Sequence, residues 1–497
     1  MRLSAHGVAR LLGAWQDGPG PAHQRLSDRL RLLVLDGRLA LGAALPGERE
    51  LAGALGVSRT TVGAAYRTLA DHGYVATRER ARATVRLPGG PPPRPPQLGD
   101  GAWGGAGAVT GAGSGAGGGP GVIDLSFAAP PAPVEILHAA YATALERLPR
   151  HFDRHGYDRY GVPELRQAVA DWYGRRGLPT AADHVMVTNG AQHALALLTR
   201  ALVPPRGKVV VDHPTYPHAL TTFTAARARL VPVAVTPAGW DPAQLLAAGR
   251  DAALAYLIPD FHNPTGLSMT AAVRGRLRLG CPTVVDETMT DLALDGPAPE
   301  PFAAHVPSAI SVGSVSKSVW GGLRTGWIRA RPALLERVAQ LRPTTDLGTP
   351  VVEQLATAAL LDAGQTRRPQ ALRQLRLQRE ALLWALAERL PELEVAGAGA
   401  ASAVDASAGV THPVGGVALW AAFPRPVSSR LAAIAPDHGV AVAAGPRFGV
   451  GGAFARNIRL PYTLPPDLLG EAVRRLAAAH QALTRGHTGT HTPAPLA

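Results

Sequence analysis

Only two of the 50 basic residues in this chain are lysines, Lys208 and Lys317. Lysine is the basic side chain that can shed its proton and attack a carbonyl, so the setting of each one is informative. Lys208 follows Pro-Pro-Arg-Gly at the start of an apolar run and reads as a solvated strand-start residue. Lys317 stands in SVGSVSKSVWGGLRTGW, three residues after Ser314 and seven before Arg324. Other chemically useful residues precede it. Thr188-Asn189-Gly190-Ala191-Gln192 ends an apolar run and opens a helix, which aims backbone N–H groups and a helix N-terminus at one point, a setting for a phosphate. DHPTYP carries Tyr216, whose ring can stack on a planar ligand, PDFHNPTG holds Asn263 in a tight turn, and VVDET ends a strand at Asp286. Singly these have plain structural readings, since a strand-end Asp commonly caps a helix and a tyrosine in a Pro-rich loop commonly packs.

The elements that must position them are apolar strands alternating with helices. HVMVT (184–188), KVVVD (208–212), LAYLIPD (254–260), CPTVVD (281–286), AISVGS (309–314) and TGWIRA (325–330) are short Val/Ile-rich runs. Such runs with helical stretches between them predict an α/β fold with a largely parallel sheet. VALWAAF, NIRLPY and the helical LLGEAVRRLAAAHQAL predict a smaller C-terminal α+β lobe. The chemistry-bearing residues fall at the ends of the strands.

NPTG, a strand-end Asp and then S-x-x-K-x(6)-R resemble the fold-type I, aspartate-aminotransferase-like enzymes that use pyridoxal 5'-phosphate (PLP), over most of residues 122–485. The resemblance implies that Lys317 forms the Schiff base with the cofactor's aldehyde and that Asp286 pairs with its pyridine nitrogen. Asn263 would donate to the phenolic oxygen and Tyr216 would stack on the ring. Gly190, Ala191 and Gln192, with Ser314 and Arg324, would hold the phosphate. Arg459 in NIRLPY matches the arginine that takes an amino acid's α-carboxylate, with nearby Arg456 as the competing assignment. Two positions depart from the family pattern. Met289 stands where a tyrosine usually donates to the phenolic oxygen, which predicts an altered proton affinity of the Schiff base. SFAAPPAP (126–133) replaces glycines on the substrate side.

The first 87 residues are a different module. Leu26, Leu30 and Leu33 form one helical stripe, and a second helix from near Glu48 buries Leu51 and Leu55 and stops at Gly56. Ser58 is an N-cap for a third helix with Val62, Tyr66 and Leu69 on one face and Arg59, Thr60, Gly63 and Arg67 on the other. The alternating YVATRERARATVRL predicts a two-stranded wing. LPGERELAGALGVSRTTVGAAYRTLADHGYV resembles the winged helix-turn-helix of the GntR family of bacterial regulators. That resemblance implies DNA contacts by Arg49, Ser58, Arg59, Thr60 and Thr61, with Arg80 and its neighbours Arg78 and Arg82 on the wing.

Charge follows the same division. Residues 1–87 hold 13 Arg and 7 acidic residues, a net +6 of the +13 total, and residues 88–121 hold one of each. That second segment contains 14 Gly and 7 Pro, which predicts a disordered linker. We read 22–87 as the DNA-binding head, 88–121 as linker, 122–485 as the PLP-binding body and 486–497 as a loose tail whose two histidines are solvated. A single cysteine excludes an intramolecular disulfide framework and a Cys-rich zinc module, and no metal site is expected. The absence of a signal-peptide shape and of about 18 uninterrupted apolar residues leads us to expect a cytoplasmic protein without a membrane span.

Head, linker and body together resemble the MocR subfamily of GntR-type regulators. That implies a homodimer on a double-stranded DNA operator, sensing PLP or a small amine or amino-acid effector at Lys317. An active aminotransferase with an accessory DNA-binding head is the alternative, and a repressor that holds PLP only as a structural ligand is a third reading.

Overall fold

The head forms a core from four helices: α1 (Ala5–Leu12), α2 (Ala22–Leu35), α3 (Glu48–Leu55) and α4 (Arg59–Asp71). Its caps are those the residue types dictate. Gly56 takes the left-handed conformation that stops α3, at φ 66°. The Ser58 hydroxyl accepts from the Thr61 amide at 3.1 Å and opens α4. Leu26, Leu30, Leu33, Leu51, Val62, Tyr66 and Leu69 are buried in one cluster, as their spacing predicts. Val8, Leu12 and Trp15 join that cluster from ahead of residue 22, a contribution the sequence reading did not include. Strands β1 (Val75–Ala76) and β2 (Thr84–Val85) pair antiparallel as the base of the wing.

The computed structural model describes residues 3–13, 15–16, 20–36, 38–39, 42–76, 82–86, 121–396, 402–405 and 410–485. The expected linker up to residue 120, the wing residues Arg78 and Arg80, and the 486–497 tail lie outside the described residues.

In the body, β3 (Ile123–Leu125) comes first, followed by helices α5 (Val134–Arg147) and α6 (Pro163–Arg175). The large sheet then runs through β4 (Val185–Thr188), helix α7 (Ala191–Leu202), β5 (Lys208–His213), β6 (Arg229–Thr236), β7 (Gly239–Trp240), β8 (Leu254–Leu257), β9 (Thr283–Asp286), β10 (Ile310–Ser314) and β11 (Gly326–Arg329). Their order is β4-β11-β10-β9-β8-β5-β6-β7. The inner strands β10, β9, β8, β5 and β6 are parallel, whereas β11 is antiparallel to both neighbours. Because β11 runs backwards, its first residues lie at the edge where the parallel strands end, beside Thr188 and Ser314. Alternate residues serve opposite faces. Val209 and Val211 enter one core and Val210 the other, as the two-residue period of a doubly covered strand requires.

The smaller lobe holds β12 (Glu394–Val395), the hairpin β13 (Ser402–Asp405) and β14 (Val410–Pro413), β15 (Ala418–Ala422), β16 (Val440–Ala444) and β17 (Asn457–Pro461). Its sheet has the order β12-β15-β17-β16-β3. It is therefore not wholly C-terminal: β3, from the start of the body, pairs parallel with β16. The helices Pro369–Arg389 and Pro466–Arg485 pack on this sheet.

Candidate functional site

Five strand ends of the large sheet converge on a cavity of about 190 Å³, and Arg459 of the small lobe's β17 stands next to Asn263 in its wall. Its lining includes Ala191, Gln192, Tyr216, Asn263, Asp286, Ser314, Lys317 and Arg324, separated by up to 133 positions in sequence. Tyr256, Thr288 and Met289 complete much of the wall.

The turn expected to hold a phosphate is built on Gly190, whose φ of 83° suits glycine and precedes the start of α7. A Cβ there would lie 2.8 Å from Arg324 Nη2, so a side chain would displace the guanidinium. Arg324 is held across the turn by donation to the Asn189 carbonyl at 3.1 Å. Asn189 is itself fixed, donating to Asp346 at 2.8 Å, and Asp346 pairs with the buried Arg342 at 2.6 Å. Ala191 and Gln192 occupy the first turn of α7, whose amides have no partner within the helix. The Gln192 side-chain nitrogen is committed to Thr222 at 2.6 Å, so its backbone amide is the group left for an anion. The Ser314 hydroxyl donates to the Thr325 carbonyl at 2.8 Å and meets Ser316 at 2.8 Å.

Asp286 keeps one oxygen against Tyr256, whose hydroxyl donates at 2.7 Å, while Thr288 donates to the other from both its amide and its hydroxyl. Neither Tyr256 nor Thr288 was identified from sequence. Lys317 donates to the Ala128 carbonyl at 2.6 Å. Burial, together with the nearby Arg459 charge and against the attraction of Asp286, pushes its amine down to about 8. Burial also raises the Tyr216 phenol to about 12, with Asp286 adding to the shift.

Arg459 lies on β17 and is buried. It donates to the Ser126 carbonyl at 2.6 Å, approaches Asn263 Oδ1 at 3.4 Å and stands over the Phe448 ring at 5.1 Å. Its Nε is buried without a hydrogen-bond partner. Burial and the Arg447 charge bring its guanidinium down to about 10. Arg456 instead donates to the Phe423 carbonyl at 2.7 Å, so Arg459 is the arginine beside Asn263. The 126–133 segment has its own part here, because its backbone carbonyls at Ser126 and Ala128 receive the two cations. Lys208 is remote, 3.7 Å from Asp251 and half exposed.

These groups fit PLP. The turn at Gly190 leaves a cradle that a side chain would fill, a buried amine of lowered basicity faces a carboxylate, and a buried arginine nitrogen awaits a partner. Among the described residues there is no cluster of His, Cys, Asp and Glu suited to a metal ion, and no helix is long and apolar enough to cross a membrane.

On the head, Arg49, Ser58, Arg59 and Thr60 are exposed and Thr61 is half-buried along the α3–α4 face. Arg59 pairs with Glu48 at 3.0 Å, and Arg82 forms a two-point contact with Glu50 at 2.9 and 2.6 Å. Both pairs are exposed and weak in water, so a phosphate can replace the carboxylates.

Comparison with known proteins agrees with this division. The family model for aminotransferase class I and II matches residues 122–476, and that for bacterial regulatory proteins of the gntR family matches residues 22–85. The uncharacterized HTH-type transcriptional regulator YdcR of Escherichia coli is 26% identical over 472 residues, 88% of this chain and 94% of the relative. The probable rhizopine catabolism regulatory protein MocR of Rhizobium meliloti is 27% identical over 75% of this chain and 78% of its own. The 2-aminoadipate transaminase of Thermus thermophilus is 30% identical over 65% of this chain and 80% of the enzyme. Among solved structures, the α-aminoadipate aminotransferase LysN of Thermus thermophilus superposes with a TM-score of 0.64 at 27% identity, covering 73% of this chain and 93% of its own. The chain belongs to the aminotransferase class I and II family, whose members depend on PLP, and carries a GntR-type helix-turn-helix head in the arrangement of the MocR-type regulators.

Proposed function

We propose that this protein is a transcriptional regulator that binds an operator in double-stranded DNA and responds to PLP, or to an amine or amino acid joined to it, at Lys317. The observation that carries the reading is one chain holding both an exposed α3–α4 face with Arg49 and Thr60 and a complete PLP-fitting cavity. The same pairing of modules in YdcR, matched over nearly its whole length, and in the probable regulatory protein MocR supports it.

PLP supplies an aldehyde that joins a primary amine and a ring that withdraws electrons from it. Lys317 offers the amine, and its lowered basicity leaves a usable neutral fraction near neutral pH. Asp286, held by Tyr256 and Thr288, would pair with the protonated pyridine nitrogen. Gly190, Ala191, Gln192, Ser314 and Arg324 would hold the phosphate, Asn263 the phenolic oxygen, and Tyr216 would cover the ring. Arg459 would take a carboxylate through its unpartnered Nε. A ligand that exchanges with Lys317 changes the charge at the junction of the lobes. It regulates only by binding two arrangements unequally. A cytoplasmic homodimer would present two heads to paired half-sites.

An aminotransferase reading is favoured by the completeness of the cavity. Footprinting on the DNA upstream of the protein's own gene, with and without PLP and at several salt concentrations, tests the regulatory reading. Protection that ignores PLP, together with rapid half-transamination across a panel of amino acids, would replace it with the enzymatic one.

A further inference from the structure

Among the described residues, the head meets the body away from its DNA-facing helices. From α2, Arg31 donates to the Ala433 carbonyl at 2.6 Å, and its Nε donates to the Tyr74 hydroxyl at 3.1 Å, tying the wing base to the same contact. At the end of α2, the Asp36 carboxylate accepts from the Ser429 hydroxyl. Burial there raises the Asp36 carboxyl, while Ser429, Arg38 and Arg29 oppose the rise. Gly452 leaves room for Arg38, since a Cβ at 452 would stand 3.2 Å from its Nη1.

The far side of this contact leads to the cavity. Ser429 and Ala433 belong to the helix Ser428–Ile434, which packs through Leu431 with Val440 and Val442 of β16. Ala443 of β16 pairs directly with Arg459 of β17. The loop after β16 carries Phe448, the ring beneath Arg459, and ends at Gly452 beside Arg38. The same loop is stitched to the large sheet, since Thr215 donates to the Phe448 carbonyl at 2.8 Å and Val450 donates to His213 Nε2 at 3.0 Å.

We infer that the helix Ser428–Ile434 and the loop to Gly452 are a docking surface for the head of this chain, and that the dock carries ligand-dependent change from the Arg459 side of the cavity to the DNA-binding helices. The second half rests on the regulatory reading above. The physical reason is that the covalent route between the modules, residues 88–121, has a Gly- and Pro-rich composition with little apolar surface to pack. Such a route cannot relay a displacement of a fraction of an ångström, whereas packed, hydrogen-bonded elements can. The dock leaves Arg49, Arg59 and Thr60 exposed, so it fixes the orientation of the head without covering its DNA face.

The test uses the full chain, an operator fragment and PLP, alone and then with a panel of amino acids. In the wild type, PLP should change DNA affinity by about fivefold or more, the range for coupled sites. Asp36→Ala and Ser429→Asp should bring that ratio close to one, with PLP absorbance and PLP-free DNA affinity unchanged. The charge-paired double variant Asp36→Lys/Ser429→Asp should restore it. Single variants that keep the wild-type ratio overturn the inference while leaving the regulatory reading intact. A wild type whose DNA affinity changes neither with PLP nor with a panel of amino acids added to the PLP-loaded chain overturns the regulatory reading and the relay with it. In a Cys281→Ser background, Asp36→Cys with Ser429→Cys should form a disulfide, within one chain or between two copies. Failure to form either overturns the dock itself.

Discussion

The lowered basicity of Lys317 makes a quantitative prediction about how the empty protein captures PLP. Only the neutral amine attacks an aldehyde. With an amine at about 8, roughly 9% is neutral at pH 7, against roughly 0.03% for an ordinary lysine at 10.5. The rate of capture, followed by stopped-flow absorbance, should rise about tenfold per pH unit below 8 and level off above it. The neighbouring charges push in opposite directions, which gives an internal control. Arg459→Met removes a repelling cation and should move the inflection upward, slowing capture at pH 7. Asp286→Asn removes an attracting anion and should move it downward. Stability follows the same proton. The folded chain holds this amine less protonated than the unfolded chain does, so stability should increase as pH rises from about 8 to 10.5, and Lys317→Met should abolish that increment. A capture rate still climbing tenfold per unit at pH 9.5, or both variants moving the inflection the same way, would refute the electrostatic reasoning.

Three further outcomes are expected. Met289→Tyr returns a phenolic donor to the wall of the cavity and should move the absorbance titration of bound PLP about one unit lower, whereas an unmoved midpoint would mean another group already serves there. Gly190→Ala sets a Cβ 2.8 Å from Arg324 at a φ of 83° and should weaken PLP binding by about 1–3 kcal/mol in an equilibrium titration; undiminished affinity would remove the turn from the phosphate site. Arg49→Ala should weaken operator binding and reduce the slope of log affinity against log salt by about 1, while an unchanged slope would place Arg49 off the phosphate backbone.

Much of the site was readable because its residues sit at strand ends, where local sequence marks both the strand and its termination. Gly190, Asp286, Ser314 and Lys317 all have that setting. What supports them was not readable, because it comes from distant positions or from the backbone. Tyr256 reaches Asp286 across 30 residues, and the Ala128 carbonyl reaches Lys317 across 189. A backbone acceptor has no signature in a one-letter sequence. The choice between Arg456 and Arg459 did have a signal, since Arg459 lies inside the apolar strand run NIRLP whereas Arg456 precedes it. In the fold, β6 escaped notice because its exposed positions and Pro232 dilute the apolar run. Helix α1 is only eight residues long, and what makes it structural is the burial of Val8 and Leu12.

The turn that follows Asp286 shows how narrowly this cavity departs from the family pattern. Every residue around Met289 is tied down. Glu287 is buried, accepting from the Tyr173 hydroxyl at 3.1 Å and the Phe302 amide at 2.9 Å. Thr288 bonds to Asp286, and Thr290 donates to Asp260 at 2.5 Å, which is in turn paired with buried Arg274. Burying two carboxylates is tolerable only when their oxygens are satisfied in this way, so the turn has little freedom to drift. Met289 is thereby presented to the cavity on a fixed backbone. Replacing a tyrosine there changes which groups can donate to a ligand and leaves the positions of Asp286, Lys317 and Arg324 alone. We propose that the departure is electronic and not architectural: Met289 would leave the cavity wall in place while offering a bound phenolate one donor fewer than a tyrosine would. If the Met289→Tyr titration shows the expected shift, retained geometry with altered proton affinity would suit a binding signal read as protonation and shape at least as well as turnover.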